Sequence, residues 1–324
     1  MAFWTGRKVL VTGCTGFLGT SLTTELVTRG ADVIGLVRDG VWRSPFFLDG
    51  IVNRVTVVRG AVEDLPAVER AVNEYEVDTV FHLAAQAIVG TANRNPLSTF
   101  ETNIKGTWVV LEACRHSPTV SRVVIASSDK AYGEHGHLPY HEALPLEGRH
   151  PYAVSKSCAD LIAMAYHTTY KTPVCITRCG NLFGPGDLNF NRIVPGTIRS
   201  ALQGQRPVIR SDGSPVRDYI YVKDAVAAYL LLAERMNDAS LHGQAFNFGT
   251  GEPVSVLDLT RKILATADRP DLEPDVQNTT SSEILLQYLS ADRARAILGW
   301  VPGGMLDERL HQTVAWYRAH ADCL

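Results

Sequence analysis

Long apolar runs, paired cysteines and an excess of one charge are all missing from this 324-residue chain, and each absence removes a class of function. No segment approaches the roughly 20 apolar residues that cross a bilayer, and nothing near the start reads as a secretory h-region, so a cytoplasmic setting with no membrane partner is expected. The six cysteines, Cys14, Cys114, Cys158, Cys175, Cys179 and Cys323, follow neither a disulfide framework nor a metal-ligand spacing. Several sit inside apolar segments, where cysteine acts as a small hydrophobe, so free thiols, a reducing compartment and no metal site are expected. A net charge of −3 offers nothing to the phosphates of nucleic acid or to an anionic membrane. Internal repeats, low-complexity tracts and a proline- and serine-rich linker are absent as well. What is left is a globular composition, 45% apolar and 20% charged, in a chain long enough for two lobes.

What is present is an alternation of β-branched runs and amphipathic stretches. Lys8-Val-Leu-Val-Thr-Gly13 reads as a strand running into Gly13-Cys-Thr-Gly-Phe-Leu-Gly19 and a helix over 20–29. Glycines three apart let the backbone turn tightly, let a pyrophosphate reach the helix N-terminus, and let helix and strand pack closely. A second strand at 32–37 completes the context of a dinucleotide-binding turn; the competing reading is a tight turn with no ligand. Gly13, Thr15, Gly16, Phe17, Leu18 and Gly19 are the candidate cofactor contacts. At the end of the second strand an acid would accept from a ribose 2′-hydroxyl and a base would pair with a 2′-phosphate. Val37 stands there, and Arg38 and Asp39 follow with opposite implications, which leaves NAD and NADP nearly even.

Further strands are expected at 55–58, 77–83, 123–126 and 172–179, with helices at 65–74 and 152–169 and a long helix, begun or interrupted near Asn103, that ends at 116. This alternation implies an α/β, doubly wound parallel Rossmann sheet with right-handed crossovers, a dinucleotide-binding domain over 1–180. Asn181-Leu-Phe-Gly-Pro-Gly-Asp187 is a turn-rich break. Beyond it, helices at 191–203, 222–233 and 256–267 mix with short strands at 208–210, 219–222 and 244–248. A smaller mixed α/β C-terminal substrate lobe over 181–324 is expected, interleaved with returns to the sheet from 219–260. In the first domain Ala61 and Val62 join the cofactor candidates. So do Leu83, Ala84 and Ala85, where small residues let backbone pass beneath a flat ligand. His82 reads as a packed histidine, and Asn103 as either a structural amide or a group behind the active site.

Chemistry is expected where Val123-Val-Ile-Ala126 gives way to Ser127, Ser128, Asp129 and Lys130, because open α/β sheets bind ligands at the carboxyl ends of their strands. Tyr152 and Lys156 stand four apart at the start of a helix and share one face. A cationic neighbour favours phenolate, which turns a tyrosine of pKa ~10 into a usable general base. The same spacing also occurs in ordinary helix-surface pairs.

Together, Gly13-Cys-Thr-Gly-Phe-Leu-Gly19, His82-Leu-Ala-Ala85, Asn103-Ile-Lys-Gly-Thr107, Tyr152-Ala-Val-Ser-Lys156, Arg178-Cys-Gly-Asn181 and Arg217-Asp-Tyr-Ile-Tyr-Val-Lys-Asp224 resemble the extended short-chain dehydrogenase/reductase superfamily over nearly the whole chain. The resemblance implies a catalytic triad of Ser128, Tyr152 and Lys156, the last two also touching the cofactor, with Asn103 as supporting amide. It implies substrate contacts from Gln86, Ser128, Asn181, Arg192 and Arg217, with Asn181 and Arg217 on the diphosphate of a nucleotide-sugar. Ser127-Ser-Asp-Lys-Ala-Tyr-Gly133, the segment from His150 to Asp160 and the segment from Thr177 to Gly196 are most similar to the nucleotide-sugar 4,6-dehydratases of the CDP-glucose type. There Asp129-Lys130 replaces the Asp-Glu of many relatives, and Ala61 replaces an aspartate that meets the adenine.

That likeness implies a lyase with a tightly held NAD or NADP, regenerated in each turnover. Tyr152 would take the C4-hydroxyl proton as hydride leaves C4. Lys130, neutral, would remove the C5 hydrogen while Asp129, as the acid, protonates the departing C6 hydroxyl, and hydride would return to C6. A closed, partly desolvated site moves both groups toward those forms. Asp129 and Lys130 can instead form a salt bridge that stiffens the loop. A nucleotide-sugar 4-epimerase would use Ser128 and Tyr152 without elimination, and Asp129 speaks against it. A nonenzymatic dinucleotide-binding sensor would keep the fold alone, and the intact Ser128, Tyr152 and Lys156 speak against that. A homodimer is expected, because 97–116 and 152–169 carry apolar residues beyond what one sheet face needs.

Overall fold

The computed structural model describes residues 2–279 and 284–324. The first six strands along the chain are β1 (Lys8–Thr12), β2 (Asp32–Val37), β3 (Thr56–Arg59), β4 (Thr79–His82), β5 (Arg122–Ala126) and β6 (Val174–Cys179). With Ala245–Phe248 they form a seven-stranded parallel sheet in the order β3-β2-β1-β4-β5-β6-(Ala245–Phe248). The chain winds outward from β1 in one direction, then restarts at β4 in the other, so the crevice of a doubly wound sheet opens between these two strands.

Period-2 alternation explains why the strands read as continuous apolar runs. Val9, Val11, Phe81, Val124 and Phe246 point to one face, against Leu22 and Leu26 of the helix Phe17–Thr28 and Ala225, Tyr229 and Leu232 of the helix Val222–Arg235. Leu10, Val80, Val123, Ile125 and Ile176 point to the other, against Val68 and Val72 of the helix Leu65–Asn73, Val110 of Gly106–His116 and Ala163 of Pro151–Tyr170. A further apolar cluster, with Phe183, Ile198, Tyr219, Leu259, Ile263, Leu310 and Tyr317, is built from the helices Ile193–Leu202, Val256–Thr266 and Leu306–Ala319.

Element ends differ from expectation where local chemistry decides them. The first helix starts at Phe17 because Gly16 is its cap, three residues before the expected start. The stretch through Asn103 is an interrupted helix: Pro96–Phe100 passes through a π-helical turn, Glu101–Lys105, into Gly106–His116. The helices Val89–Arg94 and Leu306–Ala319 were not expected. Leu306–Ala319 buries only Leu310, Thr313, Val314 and Tyr317, too thin a stripe to stand out from its charged residues.

Candidate active site

Gly13 ends β1 at φ +73°, and a Cβ there would lie 2.7 Å from the Ala84 nitrogen; a Cβ on Gly19 would lie 2.0 Å from the Gly13 carbonyl oxygen. Only glycine lets the turn after β1, the helix and the turn after β4 converge this closely. The Thr12 hydroxyl accepts from the Leu83 and Ala84 N–H groups, each at 3.2 Å, and pins the two turns together across the crevice. His82 bridges Thr12 (2.9 Å from Nδ1) and Thr107 (3.1 Å from Nε2), and burial drives its pKa down to about 3. It is a packed, neutral histidine, as its sequence suggested. The helix Phe17–Thr28 begins at Gly16 with no side-chain cap, so its N-terminus offers backbone donors and the positive end of its dipole to the cleft. A cradle without Cβ atoms, with unclaimed helix-end donors, fits the diphosphate of a nicotinamide dinucleotide.

The cleft encloses about 1970 Å³, beyond the roughly 300–1,000 Å³ of a single small-ligand pocket. Of the sixteen cofactor candidates, all line it except Ala61 and Asn103, and of the substrate candidates all except Gln86. Ala61 turns away because its carbonyl closes a tight turn onto the Asp64 N–H at 3.2 Å. Gln86 folds back on its own loop, its side-chain oxygen accepting from the Ile88 N–H at 3.0 Å. Arg38 and Asp39 pair with each other at 2.6 Å on the exposed rim.

The turn after β5 holds the candidate reactive groups. The Ser128 hydroxyl caps the short turn Asp129–Tyr132 by accepting from the Lys130 N–H at 3.2 Å and donates to Asp129 Oδ1 at 2.8 Å. Lys130 Nζ donates to Asp129 Oδ2 at 3.1 Å, so the ion pair of the competing reading is present, buried on the aspartate side. Pro151 opens the helix Pro151–Tyr170, whose first turns bring Tyr152 and Lys156 beneath this turn. Asn103 is both things its sequence allowed. Fully buried behind the site, its Nδ2 donates to Ser155 Oγ at 2.8 Å, while its Oδ1 accepts from the Gln86 N–H at 2.7 Å. Ser155 in turn donates to the Tyr152 carbonyl at 2.7 Å.

The electrostatics set burial of the phenol against its ionisation. Burial pushes the Tyr152 phenol up to about 12 and the negative charge of Asp129 adds to that; a hydrogen bond with Ser128 and the charge of Arg192 pull the other way. Lys156 follows one turn later on the same helix. Its ammonium donates to the Ala126 carbonyl at the end of β5, at 2.7 Å, and burial drives it down to about 8.

Beyond β6, Asn181 Nδ2 reaches the Asp218 carbonyl at 3.4 Å, Arg192 pairs with Asp187 at 3.0 Å, and the buried Arg217 donates to the Val216 carbonyl at 2.8 Å. All three line the cleft. Several lining residues escaped the sequence reading: Glu134 and Arg149 before the helix Pro151–Tyr170, Tyr229, Phe190 with the Arg199 guanidinium 4.4 Å above its ring, and Gln287. Only a polar residue inside the apolar run Leu285-Leu-Gln-Tyr-Leu289 signals Gln287.

Comparison with known proteins narrows the family. The chain is 29% identical to the CDP-glucose 4,6-dehydratase of Salmonella typhimurium, over 98% of this chain and 92% of that protein. It is 32% identical to the dTDP-glucose 4,6-dehydratase of Streptomyces antibioticus, over 96% and 92%. Its fold matches the dTDP-glucose 4,6-dehydratase of Streptomyces venezuelae solved with NAD bound, at TM-score 0.88 and 27% identity over 98% of each chain. It also matches the UDP-glucose 4-epimerase of Thermotoga maritima solved with UDP-glucose, at TM-score 0.88 and 28% identity over 97% of this chain and 100% of that one. The family model described as the NAD dependent epimerase/dehydratase family matches residues 9–249, and this chain belongs to that family.

Proposed function

We propose that the protein is a nucleotide-sugar 4,6-dehydratase, a lyase that converts a nucleoside diphosphate hexose of the CDP-glucose kind to its 4-keto-6-deoxy form. The observation that carries this reading is Asp129. It is buried and hydrogen-bonded to Ser128, which also bonds Tyr152, so an acid for C6 stands beside the pair that handles C4. A 4-epimerase has no use for that acid. The bound nicotinamide dinucleotide supplies a hydride acceptor for C4 and a hydride donor for C6. Tyr152, with Ser128 on its oxygen, takes the C4-hydroxyl proton. The ketone acidifies C5–H, Lys130 removes that proton, and Asp129 gives its own to the departing C6 oxygen, which leaves as water. The pair ends as carboxylate and ammonium; as hydride returns to C6 the Lys130 ammonium gives its proton back to C5, and the proton that Tyr152 took from the C4 hydroxyl passes through Ser128 to the Asp129 carboxylate, so acid, amine and phenolate are all restored. The salt bridge is then one protonation state of the catalytic pair.

Asn181, Arg192 and Arg217 on the cleft wall are the groups for the diphosphate and nucleoside. Of the two dinucleotides NAD is favoured, because Asp39 already occupies the Arg38 guanidinium that would meet a 2′-phosphate and the similar dehydratase of Streptomyces venezuelae binds NAD. The proposal includes a homodimer in the cytoplasm, with cofactor on 1–180 and nucleotide-sugar on 181–324. The test is incubation with CDP-, dTDP- and UDP-glucose without added cofactor, followed by mass analysis of products and of the dinucleotide released on denaturation. Loss of one water from a hexose is expected. A product of unchanged mass would assign a 4-epimerase, and no product across the panel would assign a nonenzymatic sensor.

A further inference from the structure

Gln287 is a fully buried amide on the cleft wall, 157 residues from the turn it holds. Its Nε2 donates to the Asp129 carbonyl at 3.2 Å, and its Oε1 accepts from Lys130 Nζ. The orientation is forced, since an ammonium only donates and a carbonyl only accepts. One side chain therefore fixes the backbone of the acid and the head group of the base together. It adds no charge to a site where Asp129 Oδ1 and Oδ2 already accept from Ser128 and Lys130.

The strand Leu286–Gln287 pairs in parallel with Val216–Arg217, with Leu286 opposite Val216 and Gln287 opposite Arg217. Arg217 staples the same ladder, donating to the Val216 carbonyl at 2.8 Å and the Leu285 carbonyl at 3.3 Å. A group seated on Arg217 thus rests on the two-stranded ladder whose next side chain grips Asp129 and Lys130. The backbone of Tyr152 is held by a different pair, Ser155 and Asn103, while its hydroxyl shares Ser128 with Asp129.

We infer that Gln287 is a positioning residue for the elimination half of the reaction, locking Asp129 and Lys130 to the strand that carries Arg217 while leaving C4 oxidation to the Tyr152 side. This rests on the dehydratase reading. It separates two half-reactions that share one site. Gln287→Met keeps the length of the side chain and removes both hydrogen bonds; Gln287→Glu keeps the acceptor for Lys130 and removes the donor to Asp129.

The test is single-turnover and steady-state kinetics of the parent and both variants with the nucleotide-hexose the parent dehydrates. Nicotinamide absorbance near ~340 nm follows C4 oxidation and return of hydride, mass analysis follows water loss, and thermal melts report folding. Displacing catalytic groups by even about 1 Å costs on the order of 100-fold, so Gln287→Met is expected to lower kcat for water loss by roughly 10- to 100-fold, with KM within about threefold. Reduced cofactor should accumulate with substrate bound, because oxidation continues while elimination stalls. Gln287→Glu should show the same signature in weaker form and carries the test if the methionine variant does not fold. Water loss within about twofold of the parent rate would overturn the inference. So would a parallel fall in oxidation and elimination without reduced cofactor, the mark of a general structural role. A parent that dehydrates no nucleotide-hexose would overturn the dehydratase reading and this inference with it, whereas failure of the variants alone to behave as described leaves that reading standing.

Discussion

Lys156 shows at the scale of one residue how the site trades stability for chemistry. Its side chain is buried and donates to the Ala126 carbonyl, and burial pushes its pKa down to about 8 from the usual 10.5. Below pH 8 both folded and unfolded chains hold the proton, and the cost of burying the charge is fully present. Between about 8 and 10.5 the unfolded chain binds the proton and the folded chain does not, so stability rises with pH across that window. Lys156→Met removes the buried charge. The variant is expected to be more stable than the parent at pH 7, by on the order of 3 kcal/mol, and to lack this rise between pH 8 and 10.5, while dehydration is lost. Urea denaturation of both proteins at pH 7 and pH 10 measures it; equal stability at pH 7 would show that the ammonium carries no burial cost. Among single residues, those inside local motifs were legible in the sequence, as Ser128, Asp129, Tyr152 and Lys156 lie within one strand-turn and one helix-turn. Gln287 was not, because its partners are more than 150 residues away and no local pattern encodes such a contact. The partner of the Lys156 ammonium was also hidden, since four-residue spacing fixes a helix face but not which carbonyl lies above it.

The helix Pro151–Tyr170 is held to β6 by a buried pair. Arg178 donates through Nε and Nη2 to the two oxygens of Asp160, each at 2.8 Å, and through Nη1 to the Tyr132 hydroxyl at 2.8 Å. Tyr132 donates to Asn247 at 2.7 Å, so one guanidinium joins the helix that carries Tyr152, the turn Asp129–Tyr132, β6 and the strand Ala245–Phe248. Asp160→Leu leaves that guanidinium buried without its charge partner, and a loss of about 3–5 kcal/mol is expected. Replacing both, Arg178→Met with Asp160→Leu, should recover most of it, because two apolar side chains leave no charge stranded. A double-mutant cycle in urea reads the coupling; independent, additive losses would mean that the pair does not act as a unit. Elements of this kind were legible when both faces of a strand are buried, as in β1, β5 and β6, whose apolar runs admit no other reading. The helix Leu306–Ala319 was not, because its apolar stripe is narrow, and the π-helical turn Glu101–Lys105 shows in the sequence only as an interruption.

The whole molecule presents an apolar surface on the two helical stretches beside the catalytic site. Leu97 is 70% exposed, Leu161 54%, Trp108 42% and Met164 41%; the first and third lie on 96–116, the others on Pro151–Tyr170. These helices pack against each other, and large exposed apolar side chains on adjoining helices favour the proposed homodimer contact. A two-fold axis along it would place the pair from one protomer against the pair from its partner, an isologous four-helix contact. The catalytic helix would then be clamped on one side by the Arg178 pair and on the other by the second protomer, which favours a rigid Tyr152. Light scattering at micromolar concentration is expected to give about twice the 35.4 kDa of the chain. Leu161→Glu, which would bury a carboxylate in that contact, should give the single-chain mass and a melting temperature that no longer rises with protein concentration. A parent that scatters as a single chain would reject the dimer. A Leu161→Glu variant that remains dimeric would move the interface off these helices and leave their exposed apolar residues to another partner.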